Sequence, residues 1–143
     1  MIRYTSGNIF DSKMETIVNP VNCVGVMGKG LALEFKKRYP ALFIAYKTAC
    51  DRHLIKLGRV YISNQQDRKI MLFPTKDHWQ NPSTYEYIEQ GLAYFADHYK
   101  ALKIASCAFP RIGCGCSGLE WSKVKPLMGK YLCHLDIEIE IYE

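Results

Sequence analysis

Residues 16–31 read Thr16-Ile17-Val18-Asn19-Pro20-Val21-Asn22-Cys23-Val24-Gly25-Val26-Met27-Gly28-Lys29-Gly30-Leu31. The β-branched run at the start predicts a strand over residues 16–19 that stops at Pro20, because proline cannot donate to a ladder. The glycines then mark a turn, and Gly28-Lys29-Gly30 opens a helix. Leu31, Phe35 and Tyr39 follow at four-residue spacing, which puts them on one face. Pro40 ends that helix, since the residue before a proline resists the α region. Proline also suits the first turn of a helix, so residues 40–50 read as a second one.

The same alternation continues outward. Residues 2–5 form a short apolar strand. Residues 60–63 and 70–73 are β-rich runs around a polar turn, a hairpin pattern. Ser83 and Glu86 have capping-box spacing, and Ile88, Leu92, Phe95 and Tyr99 form an apolar helical stripe behind them. Residues 104–109 predict a buried strand ending at Pro110. Val124, Leu127, Met128 and Tyr131 fit a further helix, although Gly129 within it costs about 1 kcal/mol relative to alanine. Ile137, Ile139 and Ile141 alternate with Glu138 and Glu140, the pattern of a half-buried strand. Strands alternating with helices predict an α/β domain with helices on both faces of the sheet. In such folds ligands sit beyond the carboxyl ends of the strands.

At 143 residues the chain is one domain long, with no repeat, linker or low-complexity tract. Hydrophobic residues make up 48% and charged residues 23%, a balance that excludes disorder, collagen and coiled coil. No apolar run approaches the ~20 residues of a membrane span. Residues 1–5 lack the apolar core and cleavage site of a signal peptide, so a cytoplasmic, membrane-free protein is expected. The six cysteines then read as reduced thiols. Cys107, Cys114 and Cys116 match no metal template, nor does His134, so no metal and no cofactor is expected. Net charge is +5, from 19 Lys and Arg against 14 Asp and Glu, which favours anionic partners. Lys36, Lys37 and Arg38 form the one tight basic cluster, which also reads as a solvated helix face.

Three segments that follow predicted strands carry chemistry. The first is residues 19–30. Its glycines let the backbone approach a ligand, and the helix start offers free N–H groups to an anion. It has neither the G-x-x-x-x-G-K-[ST] nor the G-x-G-x-x-G order, so phosphate binding and a plain tight turn stand level. The second is Arg111-Ile112-Gly113-Cys114-Gly115-Cys116-Ser117-Gly118. Two glycine-rich loops together suit the two sides of one diphosphate. The third is Phe73-Pro74-Thr75-Lys76-Asp77-His78-Trp79. Taken singly, Lys76 reads as a surface charge and His78 as structural, while Trp79 either stacks on a base or covers the core.

In this order the three segments resemble a macro domain. The residues that carry the resemblance are Val18-Asn19 through Met27-Gly28-Lys29-Gly30, then Phe73-Pro74-Thr75-Lys76 with His78-Trp79, then Pro110-Arg111-Ile112-Gly113-Cys114-Gly115 leading to Leu119-Glu120-Trp121. The resemblance runs from Gly7 to Tyr142 and is nearest to the ADP-ribosyl glycohydrolase branch, which holds terminal ADP-ribose protein glycohydrolase and the DarG antitoxin macro domain. It implies a three-layer α/β/α sandwich with a mixed central sheet, residues 1–143 forming a single macro domain, and an ADP-ribose cleft.

The resemblance also implies roles. Gly7-Asn8-Ile9 matches the segment that holds adenine, with Asn8 where the family usually has Asp; an amide oxygen accepts from the adenine amino group without a charge. Asn22 matches a position beside the distal ribose. Met27, Gly28 and Gly30 belong to the first phosphate loop. Thr75 precedes the lysine, and Arg111, Ile112, Gly113, Cys114, Gly115, Cys116, Ser117 and Gly118 form the second loop. Tyr142 flanks the adenine. Lys76 matches the lysine assigned the catalytic role in this branch. An amine suits attack on an anomeric carbon, or a Schiff base with an opened ribose, once it has lost its proton. Ser117 stands where the human-type glycohydrolase carries an acid, and serine cannot serve as a carboxylate base. Asp77 and Glu120 lie nearby in sequence, and His78 is a candidate proton carrier.

The implied function is an ADP-ribosyl hydrolase that removes ADP-ribose from a modified macromolecule, DNA or an acidic protein side chain. An ADP-ribosyltransferase is its expected counterpart. The segment from Thr75 to Trp79 looks more like the DNA-directed group. A reader module without turnover and an ADP-ribose 1″-phosphate phosphatase are the alternatives.

Overall fold

Ile17 and Val18 are neighbours in one strand, yet each is fully buried in a different core. Successive side chains of a strand point to opposite faces, so both faces of this sheet are covered. The computed structural model describes residues 1–143. Its strands are β1 (Ile2–Thr5), β2 (Thr16–Asn22), β3 (Tyr61–Asn64), β4 (Lys69–Lys76), β5 (Ser106–Phe109) and β6 (Glu138–Tyr142). They form one sheet in the order β1-β6-β5-β2-β4-β3. Every neighbouring pair is parallel except the β3–β4 hairpin, so the sheet is mixed.

Four helices complete the layers: α1 (Gly30–Arg38), α2 (Pro40–Asp51), α3 (Tyr85–His98) and α4 (Trp121–Leu132). Phe35 of α1 and Leu42 and Tyr46 of α2 pack with Ile17, Val21 and Ile70 on one face. Ile88, Leu92 and Phe95 of α3 and Val124, Met128 and Leu132 of α4 pack with Val18, Phe73 and Ile139 on the other. The fold is the three-layer α/β/α sandwich that the alternation predicts. No helix is long and apolar enough to cross a membrane.

Four local expectations need correction. β2 does not stop at Pro20 but runs on to Asn22, and β4 runs through Pro74 to Lys76. Beyond Ile17, β2 pairs with β4 alone, and beyond Leu72, β4 pairs with β2 alone. Each proline thus lies where its strand has one open edge, the setting in which a strand tolerates it. The cap of α3 is Thr84 rather than Ser83: its hydroxyl accepts from the Tyr87 N–H at 3.1 Å. Finally, β6 is not half-buried, because Glu140 is only 4% exposed. β6 is an interior strand, and the Glu140 carboxylate is taken inside by the Ser12 hydroxyl at 2.6 Å and by the Arg3 guanidinium.

Candidate functional site

β2 and β5 are neighbours but pair only at Thr16–Cys107 and Ile17–Ala108. Past that point they separate. The chain leaves β2 toward β4 and leaves β5 toward β6, so this gap is where the strand order reverses, the expected place for a ligand. A cleft of about 720 Å³ opens there. The ends of β2 and β4 contribute Pro20, Val21, Asn22, Thr75 and Lys76. One glycine segment supplies Val26, Gly28, Lys29, Gly30, Leu31 and Ala32; the other supplies Pro110, Arg111, Gly113, Cys114, Gly115, Cys116 and Ser117.

The first segment is braced from below by Asn22. Its side-chain oxygen accepts from the N–H groups of Val24 at 3.0 Å and Val26 at 3.3 Å, and its amide N–H donates to the Val26 carbonyl at 2.8 Å. The amide turns the strand end into a tight loop, and one N–H is left for a ligand. The first helical hydrogen bond of α1 runs from Leu33 to Lys29, so the N–H groups of Gly30, Leu31 and Ala32 have no carbonyl partner. With the helix dipole behind them they form an anion-binding end.

The second segment depends on Gly113, whose φ is +79°. A Cβ there would lie 2.8 Å from Leu119 Cδ1 and 2.9 Å from Ile88 Cδ1. The loop is therefore pressed against α3 at a point where only glycine fits. A short 3-10 turn, Gly115–Ser117, follows, and Cys114 forms a β-bridge with Leu119; of the three turn residues, Cys116 alone keeps an N–H with no carbonyl partner. The Ser117 carbonyl accepts from the Ser83 N–H at 3.0 Å, and the Ser83 hydroxyl donates to the Thr75 carbonyl. Ser83, read from sequence as a cap, instead ties the second loop to the end of β4. Burial pushes the Cys114 thiol up, which keeps it protonated.

Lys76 ends β4 opposite Asn22, just where the register with β2 shifts by a bulge. Its ammonium group makes no hydrogen bond or ion pair with the protein. The segment after it is fixed by Asp77, whose carboxylate accepts from the Asn81 amide at 3.1 Å and the His78 N–H at 2.8 Å, bonds that hold it below the usual carboxylate range. The Asp77 carbonyl accepts from Cys23 N–H at 3.1 Å, which joins this turn to the first glycine segment. Asp77 is thus a structural brace. Glu120 pairs with Lys123 at 3.2 Å. Neither carboxylate lines the cleft, and neither does His78, whose Nδ1 accepts from the Gln80 N–H at 3.1 Å. The charged side chains that line it are Lys29, Lys76 and Arg111, all cationic.

The structure brings Asn22, Gly28, Gly30, Thr75, Lys76, Arg111, Gly113, Cys114, Gly115, Cys116 and Ser117 together. Met27, Ile9 and Ile112 are buried in the two cores and do not line the cleft. Gly118, at φ +85°, closes the 3-10 turn outside the cleft. Asn8 spends its side-chain oxygen capping a short turn through the Phe10 N–H at 3.0 Å. Tyr142 lies with its hydroxyl 3.5 Å from Glu140, away from the cleft lining. Sequence reading did not single out Leu31 and Ala32 for their free N–H groups, although their position at a helix start after glycines was the available clue. Trp79 and Gln80 also line the cleft, and no pattern in the sequence fixes on which side of their turn they fall.

The Macro domain family matches residues 18–128. A DNA ADP-ribosyl glycohydrolase of Thermus aquaticus is 40% identical over all of this chain, which spans 41% of that protein. A DNA ADP-ribosyl transferase–DNA ADP-ribosyl glycohydrolase fusion protein of Thermosipho africanus is 38% identical over 95% of this chain, here 40% of the relative. The chain therefore spans about two fifths of the length of these relatives. Among solved structures, the macrodomain of Mycobacterium tuberculosis DarG superposes with a TM-score of 0.95 at 43% identity, covering 99% of this chain and 97% of that one. Thermosipho africanus DarTG in complex with ADP-ribose gives 0.95 at 38% identity, over 99% of this chain and 41% of that one. With its sheet order, its glycine-built cleft and these likenesses, the chain belongs to the macro domain family.

Proposed function

We propose that this protein is an ADP-ribosyl glycohydrolase that removes ADP-ribose from DNA. The observation that carries the reading is the unpaired Lys76 amine, which lines a cleft between the free N–H groups that start α1 and the second glycine loop with its free Cys116 N–H. The N–H groups of Gly30, Leu31 and Ala32 take one side of the diphosphate, and the Cys116 N–H of the second glycine loop takes the other. The free N–H of Asn22 meets the distal ribose, which sets its anomeric carbon against Lys76. The resemblance leaves the adenine to the segment of Asn8 and Ile9 and to Tyr142, which lie outside the cleft lining itself. Such orientation supplies several kcal/mol of barrier lowering.

In the reaction the Lys76 amine, once it has lost its ammonium proton, bonds to the anomeric carbon as the bond from that carbon to the DNA breaks. The departing atom takes the proton that the amine loses. Water then adds to the sugar–lysine adduct, frees ADP-ribose and restores the amine. The DNA target is supported by the similar proteins, which are named DNA ADP-ribosyl glycohydrolase at 40% and 43% identity. The fused Thermosipho relative supports a DNA ADP-ribosyltransferase as the partner whose product this enzyme clears. The reading takes residues 1–143 as one macro domain working in the cytoplasm, where six unpaired cysteines remain reduced.

A second reading is favoured by one fact: no carboxylate or imidazole lines the cleft, so no side chain there is a general base of the usual kind. A reader that binds ADP-ribose without turnover needs none. One assay separates the two. ADP-ribosylated single-stranded DNA and glutamate-ADP-ribosylated protein are offered to wild type and to Lys76→Ala, and ADP-ribose binding is measured on both. Release from DNA by wild type alone, with binding kept in the variant, is the expected result. Full activity in Lys76→Ala overturns the mechanism, and binding without release by wild type from either substrate establishes the reader.

A further inference from the structure

Trp79 is 47% exposed, lines the cleft and belongs to neither core cluster. A large aromatic ring left in water at a functional cleft asks for a ligand surface. The ring is not on a loose tip. Asp77 bonds to His78 and Asn81 within the same turn, the Asn81 N–H donates to the His78 carbonyl at 3.0 Å, and the His78 ring lies against Trp79 with centroids 5.6 Å apart and planes 27° from parallel. The aromatic face is thus held in one attitude, three residues from Lys76. Val26, 37% exposed, adds a second apolar group to the same cleft.

We propose that Trp79, backed by His78, is a stacking platform for the nucleobase that carries the ADP-ribose, and that this platform gives the site its preference for single-stranded nucleic acid. The inference rests on the DNA reading above. In a duplex the modified base is stacked on its neighbours; in a single strand its face is free, and an aromatic side chain replaces the lost stacking. The cationic lining of Lys29, Lys76 and Arg111 suits a ligand that brings backbone phosphates as well as a diphosphate. Every base has a π-face, so the platform adds affinity without reading sequence.

The test is made by binding, so that it does not depend on turnover. In a Lys76→Ala background, the affinity for a single-stranded oligonucleotide ADP-ribosylated on one base is compared with that for free ADP-ribose. Adding Trp79→Ala should raise the ratio of the two dissociation constants, oligonucleotide over ADP-ribose, about tenfold. Trp79→Phe should keep it within about twofold, since a phenyl ring still stacks. Equal weakening of both ligands, or no change in either, overturns the platform. So does the same tenfold effect on an ADP-ribosylated acidic peptide, which has no base to stack. If wild type releases ADP-ribose from nothing, the hydrolase reading falls while these ratios still decide the platform.

Discussion

The hydroxyl of Tyr46, in the middle of α2, lies 2.8 Å from both the backbone and the side-chain oxygens of Asn22 at the end of β2. Tyr46 is 1% exposed, and burial pushes its phenol far above its ordinary value, so the hydroxyl stays a donor. The residue that braces the first glycine segment is itself braced by the helix layer beneath the sheet.

Tyr46→Phe removes the hydroxyl donor from the Asn22 carbonyl in a buried setting, while the side-chain oxygen keeps its bonds from Val24 and Val26. Unfolding in urea should show a loss of about 1–2 kcal/mol. Calorimetric titration should also show weaker ADP-ribose binding, because Asn22 then holds the loop less firmly. Unaltered binding together with the stability loss would confine Tyr46 to the core.

Gly113→Ala brings a methyl group against the side chains of Leu119 and the fully buried Ile88, at a φ that side chains rarely adopt. The combined strain should cost about 2–3 kcal/mol in urea unfolding. ADP-ribose affinity should fall further than in Tyr46→Phe, since the second glycine loop, with its free Cys116 N–H, is positioned from this point. A variant as stable as wild type would show that the loop has room the structure does not have.

Glu140 gives a pH dependence with a definite sign. Burial acts to raise its carboxyl, but hydrogen bonds from Ser12 and Arg3 and the Arg3 charge outweigh it and hold the group below its ordinary value of about 4.5. The folded chain thus holds this proton less tightly than the unfolded chain. The resulting stability is complete above about pH 4.5 and is lost as pH falls below it. Glu140→Gln should be less stable than wild type at pH 7, and the gap should narrow in urea unfolding as the pH is lowered below about 4.5. A gap that stays constant with pH would mean the carboxylate's charge contributes nothing.

Much of the fold was legible because it is local. Leu31, Phe35 and Tyr39 mark the α1 face, Pro40 divides α1 from α2, and the runs either side of the polar turn at residues 65–68 make the hairpin. Pro20 was misleading, because whether a proline breaks a strand depends on which edge is paired, and pairing is set by residues distant in sequence. Glu140 was misleading for the same reason: an alternating strand shows a polar face only if no layer covers it. Ser83 and Thr84 are adjacent hydroxyl residues, and the choice of cap was made by Thr75, whose carbonyl claims Ser83.

By itself the sequence determined the order of elements, the three segments that follow strands and the lysine among them, since periodicity, glycine placement and chain order are properties of short stretches. Only the tertiary structure decided that β2 and β5 part after two paired residues to open the cleft. It alone turned Asp77, His78 and Glu120 away from the cleft and left Trp79 at its mouth. Those outcomes depend on sheet register and on bonds between loops such as Cys23 to Asp77 and Ser83 to Ser117. Such contacts join residues far apart in the chain, and no local pattern encodes them.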